Sequence, residues 1–369
     1  MARGWRDLLR RMHRAISLTL VAVWLVQIAS GVLLVFHRDI DDLASPGSLR
    51  RLDLPLLARQ IEHLEHESGS TSVTGAFLTS PVRRHFDVLL EGGDGPVTLV
   101  RLDGHGTELL RRRMDAGIAA TLHALNRLHR SLASGAFGEW LIRASGLFLL
   151  TNLMLGLRLA WPERGKWRAA LRGQHRHLKD PARTFLRHRA AGLWLAVPAL
   201  TIVACGTLLA FERPLLRVLG MQAAPVVLET TSGGRHASLG QVLSAARLAA
   251  PGAELTAIIF PHAPGRPVQV RFLGRTELRQ IHGETRVDVD PVTARVLRHS
   301  APSDSPLVRR LLQSLVPIHT GQAGGWGGRV VVALTGTGLL VIGSFGIRLW
   351  WVRRRQRHAA YPFRSGPQH

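Results

Sequence analysis

The chain has a single cysteine, Cys205, among 369 residues. An internal disulfide is therefore excluded, and thiolate metal chemistry has almost nothing to build on. Lysine is nearly absent too: Lys166 and Lys179 are the only two, so arginine carries almost all of the +23 net charge. No acidic residue sits deep in a long apolar run, which argues against an ion-coupled transporter acting alone. The first apolar run is too long for a signal-peptide core. It has no clear small-residue cleavage site after it and is expected to remain as an anchor.

Four apolar segments are present, each long enough for the roughly 20 residues that a bilayer crossing needs. They are Ile16–Phe36, Trp140–Trp161, Ala190–Phe211 and Val330–Val352. Much of the arginine excess falls in three clusters that abut these runs: Arg3 to Arg14, Arg164 to Arg189 and Arg353 to Arg357. So basic a chain invites a nucleic-acid reading, but this distribution argues against it. Basic flanks mark the cytoplasmic side of a membrane protein. The expected layout is a cytoplasmic N-terminus (1–15), a first span (16–36), an outer region (37–139) and a second span (140–161). A basic cytoplasmic loop (162–189), a third span (190–211), a second outer region (212–329), a fourth span (330–352) and a cytoplasmic tail (353–369) follow.

The sequence repeats itself. His13–Ile40 set above His188–Leu215 matches at 12 of 28 positions without a gap, including His, Arg, Gly and Phe. Leu125–Trp161 set above Leu315–Trp351 matches at His129/His319, Gly156/Gly346, Arg158/Arg348 and Trp161/Trp351. Shared apolar composition explains paired leucines but not these residues. The expected fold is therefore an integral membrane α-helical protein: four transmembrane helices from two parallel repeats, with two small extracytoplasmic α+β domains. The first domain, from Ser48 to Arg113, predicts a helix at Leu54–Glu65 and strands at Ser72–Thr79, His85–Leu90 and Val97–Leu102. The second, from Pro225 to His299, predicts a helix at Leu239–Ala249. Its strands are expected at Glu254–Phe260, Val268–Phe272, Thr285–Val289 and Ala294–Leu297.

Among 18 histidines, the repeat selects four. His13 and His188 open spans one and three at the inner face; His129 and His319 precede spans two and four at the outer face. His129 shares a helical stripe with Leu122, Leu125 and Leu132, and His319 with Leu312 and Leu315, whereas His123 lies off its stripe. Two histidines at each face suit the axial ligation of haem b, two groups in all. No Cys-x-x-Cys-His run occurs, so covalent c-type attachment is excluded. Small residues (Gly135, Gly138, Gly146 and Gly156; Gly324, Gly325, Gly327 and Gly328) would let a flat macrocycle approach the backbone. Arg14, Arg189, Arg130 and Arg329 are candidates for pairing with its propionates. The alternatives are helix anchoring in the headgroups and a zinc site, the latter without carboxylate or thiolate company. His37 has no repeat partner, because Glu212 stands at its match. His175 and His177 lie in the basic loop and are expected to be solvated.

At these residues the chain resembles the PepSY-associated transmembrane family. The elements are His13-Arg14 and His188-Arg189, Leu128-His129-Arg130 and Ile318-His319-Thr320-Gly321, and the aromatic ends Trp161-Pro162 and Trp350-Trp351. Val287-Asp288-Val289-Asp290-Pro291-Val292-Thr293 looks like the closing strand-turn-strand of a PepSY module. Arg101-Leu102-Asp103-Gly104-His105-Gly106 is its degenerate counterpart. The resemblance implies a multi-pass protein of the bacterial inner membrane, and some such proteins look like haem-containing ferric-siderophore reductases. Electron transfer to an external ferric siderophore or iron chelate is thus one expectation. Nothing resembles a dinucleotide fingerprint, so electrons would come from a quinol or another protein. The rival expectations are a non-redox regulator whose outer domains bind a peptide or protease, and an accessory component of iron or siderophore uptake. No catalytic residue is evident, and the partners expected besides the chelate are membrane lipid and the electron donor, with no nucleic acid.

Overall fold

The computed structural model describes residues 2–43, 51–67, 71–79, 83–92, 95–173, 180, 182–221, 237–261, 263 and 265–359. His175, His177 and the expected domain starts at Ser48 and Pro225 lie outside them. In chain order the helices are α1 (Ala2–Leu34), α2 (His37–Leu43), α3 (Leu54–Glu67), α4 (Gly117–Ser131), α5 (Gly135–Ala160) and α6 (Trp167–Arg172). They continue with α7 (Ala182–Val218), α8 (Leu239–Ala249), α9 (Leu307–His319) and α10 (Gly325–Ala359). The strands are β1 (Ser72–Leu78), β2 (Phe86–Glu91), β3 (Thr98–Leu102), β4 (Glu108–Arg113), β5 (Glu254–Ile259), β6 (Val268–Leu273), β7 (Thr285–Val289) and β8 (Val296–Ser300).

By length and composition, α1, α5, α7 and α10 can each cross a membrane. Three of them are longer than their apolar runs require: α1 has 33 residues, α7 37 and α10 35. At 1.5 Å per residue that is about 50 Å, against a hydrocarbon core of about 30 Å. Arginine-bearing turns make up much of the excess, so His13 and His188 lie inside helices rather than ahead of them.

The chain divides into two compact units. The first comprises Met1–Val35, Arg127–Ala210 and Arg329–His369. In it α1 packs on α5, and the Trp24 indole donates to the Ser145 carbonyl at 3.2 Å. Glycines set the other contacts, because an added Cβ would meet the neighbouring helix at once. An added Cβ at Gly146 of α5 would meet Thr207 of α7 (2.9 Å), one at Gly338 of α10 would meet Leu195 of α7, and one at Gly336 of α10 would meet Val32 of α1 (2.5 Å). Small residues are how helices approach closely where lipid removes the usual hydrophobic drive. The contacts close a ring α1–α5–α7–α10, with α1 diagonal to α7.

The second unit comprises Phe36–Asn126 and Phe211–Gly328. Two antiparallel meanders, β1 to β4 and β5 to β8, join along β1 and β5 into one eight-stranded sheet. The halves thus share a sheet and a core, where two separate domains were expected. Helices α3 and α8 pack against each other and share the core with the sheet. Leu57, Ile61 and Leu64, with Val242, Leu243 and Ala246, meet Val88, Val100, Ile258, Val270 and Val287. Strand β4, which the sequence reading omitted, closes the first half as an edge.

The degenerate turn of the first half keeps its working atom. Asp103 Oδ1 accepts from the amides of His105 and Thr107, both at 2.9 Å. Asp290 does the matching job in the second half, accepting from the Val292 amide at 2.8 Å and the Thr293 hydroxyl at 2.6 Å. An aspartate that ties down its own following backbone is enough to build the turn.

The sheet face away from α3 and α8 carries buried charge. Arg101, 1% exposed, donates through Nε and Nη2 to both oxygens of Asp87 (2.6 and 2.8 Å) and through Nη2 to Asp41 of α2 (2.6 Å). Arg112 clasps the same Asp41 with two further bonds, 2.7 and 2.8 Å. Burial would raise the Asp41 pKa, but Arg112 and Arg101 outweigh it and hold the carboxyl below its usual range. Asp87 goes the other way, pushed up by burial against the pull of Arg101.

Candidate cofactor site

Helices α1 and α7 face each other across the ring and bring His13 and His188 together. Their ring centres are 6.4 Å apart, with the planes inclined by 64°. A metal held between two imidazoles, about 2 Å from each nitrogen, puts the ring centres on the order of 6 Å apart. The separation therefore fits a metal in the middle.

Each ring is oriented by its other nitrogen. His13 Nδ1 lies 3.2 Å from the Asn152 carbonyl of α5, and His188 Nδ1 lies 3.1 Å from the Ile342 carbonyl of α10. A carbonyl only accepts, so Nδ1 carries the hydrogen and Nε2 keeps its lone pair for a metal. This is the usual outer-shell arrangement of a ligating histidine. The bonds occupy matched places: 13 and 188 are 175 apart, 152 and 342 are 190 apart, the two offsets of the sequence repeat.

Glycine makes room beside each ring. An added Cβ at Gly156 would stand 3.1 Å from His13 Cε1, and one at Gly346 would stand 3.8 Å from His188 Cε1. Asn152 holds Ser17 through Nδ2 at 3.0 Å, while its Oδ1 is buried without a partner. The two-imidazole donor set, the spacing and the glycine cradle all fit haem b.

His129 repeats the device. Its Nδ1 lies 2.9 Å from the Gln27 carbonyl of α1, and a Cβ at Gly31 would come within 2.9 Å of its Cε1. His129 therefore docks on α1 some 14–18 residues beyond His13, roughly 21–27 Å along the helix. His319 is the last residue of α9 and falls in the sheet-bearing unit, whereas His129 falls in the helical one. Its stripe mates Leu312 and Leu315 are buried. His123 is exposed, in keeping with its place off the stripe.

The expected propionate partners divide. Arg189 Nε donates to the Ala160 carbonyl at 2.9 Å and Arg329 Nη2 to the Val35 carbonyl at 2.9 Å, so both cap the ends of α5 and α1. Arg143, which the sequence reading did not select, donates through Nε to the Ala210 carbonyl inside α7 (2.8 Å), where Pro214 has no N–H to offer it. Arg14 and Arg130 are exposed. Among the glycines, Gly156 meets a histidine and Gly146 a neighbouring helix. Gly135, Gly324 and Gly327 have nothing within 4 Å of a Cβ, and Gly138 and Gly328 pack on the turns before their own helices. Among the described residues no group of three or more His, Cys, Asp or Glu gathers as a metal site.

A family model described as PepSY-associated TM region matches residues 10–353. No curated protein matches the chain.

Proposed function

The chain belongs to the PepSY-associated transmembrane family, and on that premise we propose that it is a haem b electron-transfer protein of the bacterial inner membrane that reduces an external ferric siderophore or related iron chelate. The observation that carries this reading is the His13–His188 pair, 6.4 Å between ring centres, with both Nδ1 atoms tied to backbone carbonyls. In this reading the chain is a duplication, and His129 and His319 form the second pair. Haem b supplies one-electron redox chemistry when bound. The residues do the positioning: Asn152 and Ile342 fix the tautomer and rotation of the inner histidines, and Gln27 does so for His129. The electron donor is a quinol or another protein.

The cradle can be tested directly. Gly156→Leu is expected to crowd His13 and lower the haem content of purified protein. Gly192→Leu, where nothing lies within 4 Å of the Cβ position, is expected to leave it unchanged. Pyridine haemochrome assay reads both, and equal losses would remove the cradle from the argument.

Orientation follows from the arginine clusters, which put the N-terminus, the 162–189 loop and the C-terminus in the cytoplasm. A reporter that works only when exported should be active when fused after Ser300 and silent when fused after Gly173. The reverse pattern would exchange the faces assigned to the two histidine pairs.

A further inference from the structure

The sheet carries one charged pair that its architecture does not require. Strands β1–β2 and β5–β6 pair with matching bulges: Gly75 stands opposite Leu89, and Ala257 opposite Arg271. One strand further, Leu89 stands opposite Leu99, and Arg271 opposite Arg286. The same place in the same sheet holds two leucines in the first half and two arginines in the second. Like charges directly across a strand pair destabilise it, and the leucines show that the fold forms without them.

The carboxylates near the arginines are mostly committed, and Glu284 and Glu277 act on Arg271 only through space. The Arg271 guanidinium has no hydrogen-bond or ion-pair partner among the described residues, and its Nε is buried. Arg286 gives Nη2 to Glu284 at 2.8 Å and leaves its Nε buried without an acceptor. The nearby Glu277 is already engaged by the amides of Gly274, Glu284 and Thr285. Glu212 lies near Arg286 and Glu284 rather than at Arg271.

His282 adds no negative charge. Its Nε2 faces Arg38 at 3.4 Å, and burial with the Arg38 guanidinium pushes its pKa down to about 3. Its Nδ1 is buried without a hydrogen-bond partner. Arg38 and Arg271 both act on this ring, so a third guanidinium lies on the Arg271 side of the pair. A buried cation left without a partner is costly, and planar guanidinium groups suit carboxylate oxygens bidentately.

We propose that Arg271 and Arg286, with Arg38 beside them, form an anion site for a carboxylate-bearing ligand. Resting on the electron-transfer reading above, that ligand is a ferric chelate built on carboxylates rather than a neutral or cationic hydroxamate. The site lies wholly within the sheet-bearing unit.

The test uses full-length purified protein and calorimetric titration with citrate, iron(III) citrate and a cationic iron(III) trihydroxamate. The variants are Arg271→Leu and the Arg271→Leu/Arg286→Leu pair, which copy the first half of the sheet; Arg271→Gln is the substitute if a leucine variant fails a melting control. The parent should bind both citrate probes, more weakly as salt is added. The double variant should bind them at least about tenfold more weakly, with the trihydroxamate unaffected. Equal citrate affinity in parent and variant, or no citrate binding by the parent, would overturn the site. The visible spectrum of the same samples separates the two readings. Citrate binding that depends on the arginines in protein without haem keeps the anion site and removes the electron-transfer reading. Haem reoxidised by iron(III) citrate at the parent rate in the double variant removes the site and leaves that reading standing.

Discussion

Replacing His13 or His188 by alanine is expected to remove about half of the haem from the purified protein, because on the proposed assignment each replacement deletes one of two axial ligands at a single site. Both variants should lose the same spectral component, and the double variant should lose no more than either single one. The reason is geometric. The two rings stand 6.4 Å apart with each Nδ1 held by a backbone carbonyl, so neither can swing to serve without the other. His129→Ala and His319→Ala should remove the other component, and His123→Ala, at an exposed position, neither. Haemochrome content and low-temperature spectra measure this. Equal haem in the parent and all four ligand variants would end the haem assignment.

How far such a site can be read from sequence depends on which atoms do the work. The histidines were legible because the repeat singles them out. Their partners were not, since backbone carbonyls of Asn152, Ile342 and Gln27 carry no residue signature. The apolar runs located all four long helices. The charged ends of α1, α7 and α10 escaped because arginine is a good helix former and nothing there breaks the helix. The ranges of α8 and β7 were read as they stand. Strand β4 was missed because Glu108-Leu-Leu-Arg-Arg-Arg has the charged look of a loop; charge on an edge strand discourages pairing with other chains. The β1–β5 seam joins segments some 180 residues apart, and no local pattern announces it. A trace existed in β5, where Leu255 to Ile258 are buried without alternation, the mark of a strand covered on both faces. Arg101 was noticed only as a departure from a motif. Its placement in a run of apolar residues was the sign that it lies buried among carboxylates.

Arg101→Leu is accordingly expected to cost the sheet-bearing unit about 3–5 kcal/mol, the usual range for removing one partner of a buried ion pair. The loss would take from Asp87 its hydrogen-bonded cation, leaving the more distant pull of Arg112, and would take from Asp41 one of the guanidinium groups that clasp it. Because burial already raises the Asp87 carboxyl, removing Arg101 raises it further. A folded-state pKa above the unfolded one opposes folding at neutral pH, and this opposition fades as pH falls and both states bind the proton. The deficit of Arg101→Leu should therefore narrow towards pH 4. Adding Asp87→Leu should recover part of it at neutral pH, since an apolar pair can replace a buried ionic one. The second half of the sheet fills the same place with a different polar set. In matched register it replaces Asp87 and Arg101 by Gln269 and Asp288, bonded at 3.1 Å, with Arg298 on the same carboxylate at 2.8 Å. Thermal melting followed by tryptic cleavage in residues 83–113 reads the unit directly, while the spectral component expected to depend on His13 and His188 monitors the helical one. A variant that melts with the parent at neutral pH would show that this network does not hold β2, β3 and α2 together.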